Sequence, residues 1–168
     1  MSDWRRLEGP LAAWASGDGP RVVFVHGFTQ TSNSWKPIAA RLVTEGYESV
    51  VVDAPGHGKS TSVNADLREA AAMLSTMFGS SVLVGYSMGG RLCMHAALMH
   101  PSAVRGLALL GASPGIADEA ERAARRGADD QLADHIIEVG VDAFIGEWTS
   151  QPLFAGLRLD EHERADRL

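Results

Sequence analysis

The stretch Val82-Leu83-Val84-Gly85-Tyr86-Ser87-Met88-Gly89-Gly90 decides how this chain folds. It runs from a continuous apolar segment, through Gly-x-Ser-x-Gly, into the helical pattern of Met88 to Met99. A serine in that setting stands on a sharp turn between a buried strand and a helix, the nucleophile elbow, which lifts its hydroxyl above the sheet. The small residues at 85 and 89 are required because the turn brings backbone against backbone, where a Cβ would clash. A glycine-rich turn with an incidental serine is the competing explanation. The strand before the motif and the helix after it favour Ser87 as a catalytic residue.

Working outward, three further apolar runs resemble the one before the elbow: Val22 to Val25, Ser49 to Val52, and Leu107 to Leu110. Each is nearly continuous rather than alternating and ends in Gly or a Gly/Pro turn, as expected of strands buried on both faces of a parallel sheet. Helical stretches at Trp35 to Thr44, Asp66 to Phe78 and Met88 to Met99 have the length of βαβ crossovers. The pattern predicts a doubly wound α/β sheet. Trp4 to Trp14 reads as an edge hairpin. After Ser113 only helices are predicted, at Ala117 to Arg126, Asp130 to Val139, Val141 to Thr149 and from Asp160 on. The chain therefore divides into a sheet core at 1–112 and a helical cap at 113–168, parts of one incomplete domain that lacks its last strands. The cap is expected over the sheet's carboxyl edge, where open α/β sheets bind ligands.

His26-Gly27-Phe28 follows the first strong strand. In proteins built around this elbow, the N–H groups of the residue after His-Gly and of the residue after the nucleophile form an oxyanion hole; here those are Phe28 and Met88. His26 precedes the serine, whereas the catalytic order is Ser, acid, His, so His26 reads as structural. Asp53-Ala54-Pro55-Gly56-His57-Gly58-Lys59-Ser60 superficially suggests a phosphate-binding loop, but the position needing the first glycine is Asp53. A tight turn is the better reading, with His57 a loop residue. Arg91 lies one helical turn beyond Ser87 and is open to two readings, a structural ion pair or a clamp for a substrate carboxylate. Arg122 and Arg125, three apart on a cap helix, could face one ligand together or form a solvated face. Trp148 and Phe154 read as packing residues, as do Cys93 and the six methionines.

Composition narrows the function classes. With 168 residues, 45% hydrophobic and 21% charged, the chain is a globular domain. Its net charge of -6 and lack of a Lys/Arg cluster argue against nucleic-acid binding. From Ser113 onward 13 acidic residues face 6 basic ones, a net of -7, so the remainder carries +1. No apolar run approaches the roughly 20 residues of a membrane-spanning helix. One cysteine and the absence of an apolar leader suggest a cytoplasmic protein.

Taken together, these residues resemble the 2-succinyl-6-hydroxy-2,4-cyclohexadiene-1-carboxylate synthase family of menaquinone biosynthesis, within the α/β-hydrolase superfamily. General superfamily motifs are His26-Gly27-Phe28, Asp53 to Gly58 and Gly85 to Gly89. More specific are Tyr86 with Gly89-Gly90-Arg91, Ser113-Pro114-Gly115-Ile116, Glu121 to Arg125, and Trp148 with Gln151-Pro152-Leu153-Phe154. The resemblance implies a lyase that eliminates pyruvate using a Ser-His-Asp triad, without metal or cofactor. It implies Ser87 in that triad, and Arg91 and Arg125 on substrate carboxylates with help from Tyr86 and Trp148; Arg122 is the neighbouring candidate. The implied partner is a small anionic substrate. An ester or thioester hydrolase of the same fold, or a non-catalytic binding fragment, are the alternatives. After Leu110 no strand is predicted to supply the triad acid and histidine, so the chain reads as a fragment or a truncated product. Its apolar edge strand is then expected to invite self-association.

Overall fold

The computed structural model describes residues 3–157 and 160–167, of which the side chain of His162 is left undescribed. Residues 1–113 and 114–168 form two compact units. The first contains a six-stranded sheet: β1 (Arg5–Leu7), β2 (Ala13–Ser16), β3 (Arg21–Val25), β4 (Glu48–Val52), β5 (Ser81–Tyr86) and β6 (Val104–Leu110), in the order β1-β2-β4-β3-β5-β6. β4, β3, β5 and β6 are parallel, and the β1-β2 hairpin adds antiparallel to β4. All four expected core strands are present, each extended by one to three residues, and the hairpin lies where Trp4 to Trp14 suggested.

Alternation along each strand explains why the apolar runs are continuous. Val23 and Val25 face one layer with Val50, Val52 and Leu83, covered by α2 (Leu67–Phe78) and α3 (Met88–Met99) through Leu74, Phe78, Leu92 and Cys93. Val22, Phe24 and Val51 face the other, covered by α1 (Lys36–Thr44) through Ala39 and by the preceding Trp35. A residue on either face is thus buried, as doubly wound sheets require. Helix α2 begins on a capping box: the Asp66 carboxylate accepts from the Arg68 and Glu69 N–H groups, and Glu69 returns a bond to the Asp66 N–H. Those backbone bonds to its anionic form hold the Asp66 carboxyl below its usual range.

A polar clamp fastens the hairpin edge to the parallel strands. Glu48, whose side chain is only 10% exposed, accepts from Arg5 Nη2 at 2.5 Å and Arg21 Nε at 2.6 Å, while Arg21 Nη1 donates to the Phe78 carbonyl. One carboxylate thereby ties β1, β3 and the end of α2 to β4. At the opposite edge, β6 leaves Leu107, Leu109 and Leu110 partly exposed, and among the described residues no strand pairs with its outer side.

The second unit is helical, with α4 (Glu119–Val139), α5 (Val141–Thr149) and α6 (Glu161–Ala165). Here one expectation fails: Ala117 to Arg126 and Asp130 to Val139 are not two helices but the single 21-residue α4. Gly127, between the two expected helices, lies inside it at a cost of only about 1 kcal/mol relative to alanine, too little to end a helix supported on both sides. Among the described residues no helix is long and apolar enough to cross a membrane.

Replacing Glu48 with alanine should lower stability by about 1.5–3 kcal/mol, the range for hydrogen bonds to charged groups, because two guanidinium groups lose their common acceptor. Urea unfolding would measure this. An unchanged midpoint would show that the clamp contributes nothing net.

Candidate active site

Ser87 is built into the elbow by glycines on both sides. Its backbone has φ +51° and ψ -112°, a region that a residue with a Cβ occupies only under constraint, at a cost of about 1–3 kcal/mol. The constraint is close approach. A Cβ on Gly85 would lie 2.5 Å from the Gly90 Cα, one on Gly90 would lie 2.5 Å from the Ala112 Cβ, and one on Gly89 would lie 2.3 Å from the Val25 carbonyl oxygen and 2.4 Å from that of His26. Helix α3 therefore starts against the backbone end of β3. The Ser87 N–H donates to the Leu110 carbonyl at 2.8 Å, which fastens the elbow to β6.

Close packing of Gly89 on Val25 and His26 brings the start of α3 next to the His26-Gly27-Phe28 turn. Met88 is the first residue of α3, so its N–H has no acceptor within the helix. Tyr86, 39% exposed, lays its ring against Gly27, where a Cβ would meet the ring at 2.7 Å, and against Gly111. The structure thus brings Phe28, Tyr86, Ser87 and Met88 together. Ser87 Oγ makes no hydrogen bond to a histidine or to any other group among the described residues.

His26 is fully buried and structural, as its position suggested. Its Nε2 accepts from the Ala54 N–H at 3.0 Å, so Nδ1 carries the proton and donates to the Gly27 carbonyl at 2.8 Å. The residues 53–60 are a tight loop, and the features that suggested a phosphate site have an internal use. Asp53, almost fully buried, accepts from the Ser32 N–H at 2.7 Å and the Lys59 N–H at 2.8 Å, and its carbonyl accepts from Ser60 Oγ. The donors that would cradle a phosphate are turned onto the protein's own carboxylate.

Arg91 lies on α3 one turn after Ser87; its side chain is exposed and makes no ion pair or hydrogen bond among the described residues. The ion-pair reading of Arg91 therefore has no partner there. In the second unit, Arg122 donates to the carbonyls of Ile116 and Ala117, whereas Arg125 pairs with Asp129 at 2.8 Å. Arg122 and Arg126 lie on one exposed face of α4 with Glu119, Ala123, Gly127 and Asp130. Trp148 stands in an aromatic row between Phe144 at 5.6 Å and Phe154 at 6.1 Å. Sequence reasoning missed the long-range partners of Asp53, because nothing in its own stretch names Ser32. Among the described residues no group of three His, Cys, Asp or Glu side chains could hold a metal ion.

The sequence profile of the alpha/beta hydrolase fold matches residues 20–140. The chain belongs to the α/β-hydrolase family. Within that family it is 35% identical over 150 residues to 2-succinyl-6-hydroxy-2,4-cyclohexadiene-1-carboxylate synthase of Enterobacter sp. (strain 638), covering 86% of this chain and 57% of that protein. It is 32% identical over 148 residues to the protein of the same name from Escherichia coli O1:K1 / APEC, covering 84% and 58%. The chain thus spans less than two thirds of these relatives' length. Among solved structures, MenH from S. aureus superposes with a TM-score of 0.78 at 27% identity, over all of this chain and 66% of that one.

Two glycines should respond oppositely to alanine. Gly89→Ala puts a Cβ into backbone oxygens that cannot retreat, and should destabilise the α/β-hydrolase elbow by about 3 kcal/mol or more, the upper end of overpacking costs. Gly127→Ala, with open space around it, should stabilise by about 0.5–1 kcal/mol. Thermal melts of both variants check this, and a tolerated Gly89→Ala would refute the close approach.

Proposed function

We propose that this chain carries the nucleophile elbow of a carbon–oxygen lyase that eliminates pyruvate from 2-succinyl-5-enolpyruvyl-6-hydroxy-3-cyclohexene-1-carboxylate, a step of menaquinone synthesis. The product is the compound for which its relatives are named, 2-succinyl-6-hydroxy-2,4-cyclohexadiene-1-carboxylate. The observation that carries this reading is an elbow serine followed, one helical turn later, by an exposed guanidinium without a partner among the described residues. A substrate with three carboxylates calls for arginine, whose planar fork meets a carboxylate with two parallel bonds. An ester or thioester hydrolase of the same fold is the second reading; the elbow alone favours it, and it gives Arg91 no task.

The chemistry follows from substrate and product. The proton at ring carbon 2 lies next to the succinyl carbonyl, and its removal places negative charge on that carbonyl oxygen. The Phe28 and Met88 N–H groups are the donors for this enolate. Collapse of the enolate forms the 2,3 double bond, moves the ring's existing double bond to the 4,5 position, and breaks the carbon–oxygen bond at carbon 5. The leaving group departs as the enolate of pyruvate and takes up a proton. Ser87 acts as the basic oxygen of a Ser-His-Asp triad, the triad histidine receiving the proton in turn. Arg91 holds one carboxylate at the elbow, and Tyr86 lines the approach.

Pyruvate release, coupled to lactate dehydrogenase and assayed on the full gene product, tests this. Ser87→Ala should abolish it. Arg91→Ala should lower kcat/KM by about 1.5–3 kcal/mol equivalent, the range for a hydrogen bond to a charged group, with melting temperature unchanged. Ester hydrolysis without pyruvate release would favour the hydrolase instead.

A further inference from the structure

We infer that His57 is a positioning residue for the oxyanion turn, holding Phe28 through its imidazole ring. Its catalytic meaning rests on the proposed role of Phe28 as a donor, while its structural content does not. The loop that carries His57 is anchored at its base: besides the bonds to Asp53, Ser60 Oγ accepts from the Ala12 N–H at 2.9 Å. Within the loop, the His57 N–H donates to the Ala54 carbonyl at 3.0 Å and its own carbonyl accepts from the Ser60 N–H at 2.8 Å. Its Nδ1 lies 2.9 Å from the Pro55 carbonyl oxygen. A carbonyl only accepts, so Nδ1 carries the proton and the ring is locked to its own loop.

That ring faces two others. It lies 5.2 Å from His26 and 5.9 Å from Phe28, edge-on to the latter at 77°. The segment it meets needs support, because Thr29, a β-branched residue, has φ +63°, in the left-handed region. Gly27 is held from one side by His26 and by Gln30, whose Oε1 accepts from the Gly27 N–H at 3.1 Å. Phe28, the next residue, meets His57. Two histidines therefore join the same two loops: His26 by hydrogen bonds from β3's end to Ala54, His57 by an edge-on aromatic contact of favourable geometry. Position 57 gives a donor to Pro55 and a ring to Phe28, and the ring is the part that holds Phe28. Phenylalanine supplies only the ring and asparagine only the donor.

The test is ¹⁵N relaxation on the uniformly labelled chain, read as the order parameter of the Phe28 amide, with Val50 of β4 as internal reference. Rigid backbone gives about 0.85 and flexible backbone below about 0.6. Phe28 should be rigid in the unsubstituted chain, fall below about 0.6 in His57→Ala, and recover in His57→Phe but not in His57→Asn, with Val50 unchanged throughout. Phe28 staying rigid in His57→Ala, or recovering as fully in His57→Asn as in His57→Phe, would overturn the inference. Should His57→Ala not fold, the Phe and Asn variants alone decide it. None of these readouts depends on pyruvate release, so failure of the lyase reading leaves them standing, and their failure leaves that reading untouched.

Discussion

The left-handed backbone of Ser87 is the constraint on which the rest of the sheet unit depends. A serine holds φ +51° only if its surroundings leave no alternative, and here the surroundings are backbone. Gly85, Gly89 and Gly90 let strand β5, helix α3 and the ends of β3 and β6 meet at distances that exclude a Cβ. The bond from the Ser87 N–H to Leu110 closes the arrangement on the β6 side. Strain at the serine is thus offset by burial of Leu92, Cys93 and Ala96 on the same helix, which contributes through apolar area removed from water. The thiol belongs to that packing, since burial pushes Cys93 up to about 12 and keeps it uncharged.

Positioning and activation are separate in this molecule. The turn at His26 to Thr29 and the loop at 53–60 are fixed by internal bonds, chiefly those of His26 and Asp53, and need no ligand to take shape. Ser87 Oγ, in contrast, has no hydrogen-bonded base among the described residues. A serine hydroxyl without such a base keeps its proton near neutral pH and is a poor nucleophile however well placed.

Much of this was legible in the sequence, for local reasons. Continuous Val-rich runs marked the strands because both faces of a parallel sheet are covered, and Gly-x-Ser-x-Gly marked the elbow because only glycine fits there. What stayed hidden depends on residues distant in the chain. Glu48 looks like an ordinary strand-start acid until Arg5 and Arg21 converge on it, and Asp53 gains its role from Ser32 and Lys59. His57 reads as a loop residue because its contact with Phe28 is tertiary. The two helices expected at 117–126 and 130–139 are one because the local propensity of Gly127 is weak beside a well-capped helix, whose Asp118 carboxylate accepts from the Glu121 N–H. Spacing left Arg122 and Arg125 open between a shared ligand and a solvated face, and it did not show that Asp129 at i+4 pairs with Arg125.

The separation of a preformed elbow from its activation is tested most directly by treating this 168-residue chain with a fluorophosphonate and following modification at Ser87 by mass spectrometry. Slow, substoichiometric labelling is expected, because the hydroxyl has no hydrogen-bonded base among the described residues. Rapid, stoichiometric labelling at Ser87 would contradict it, and would mean that a group within this chain already activates the serine.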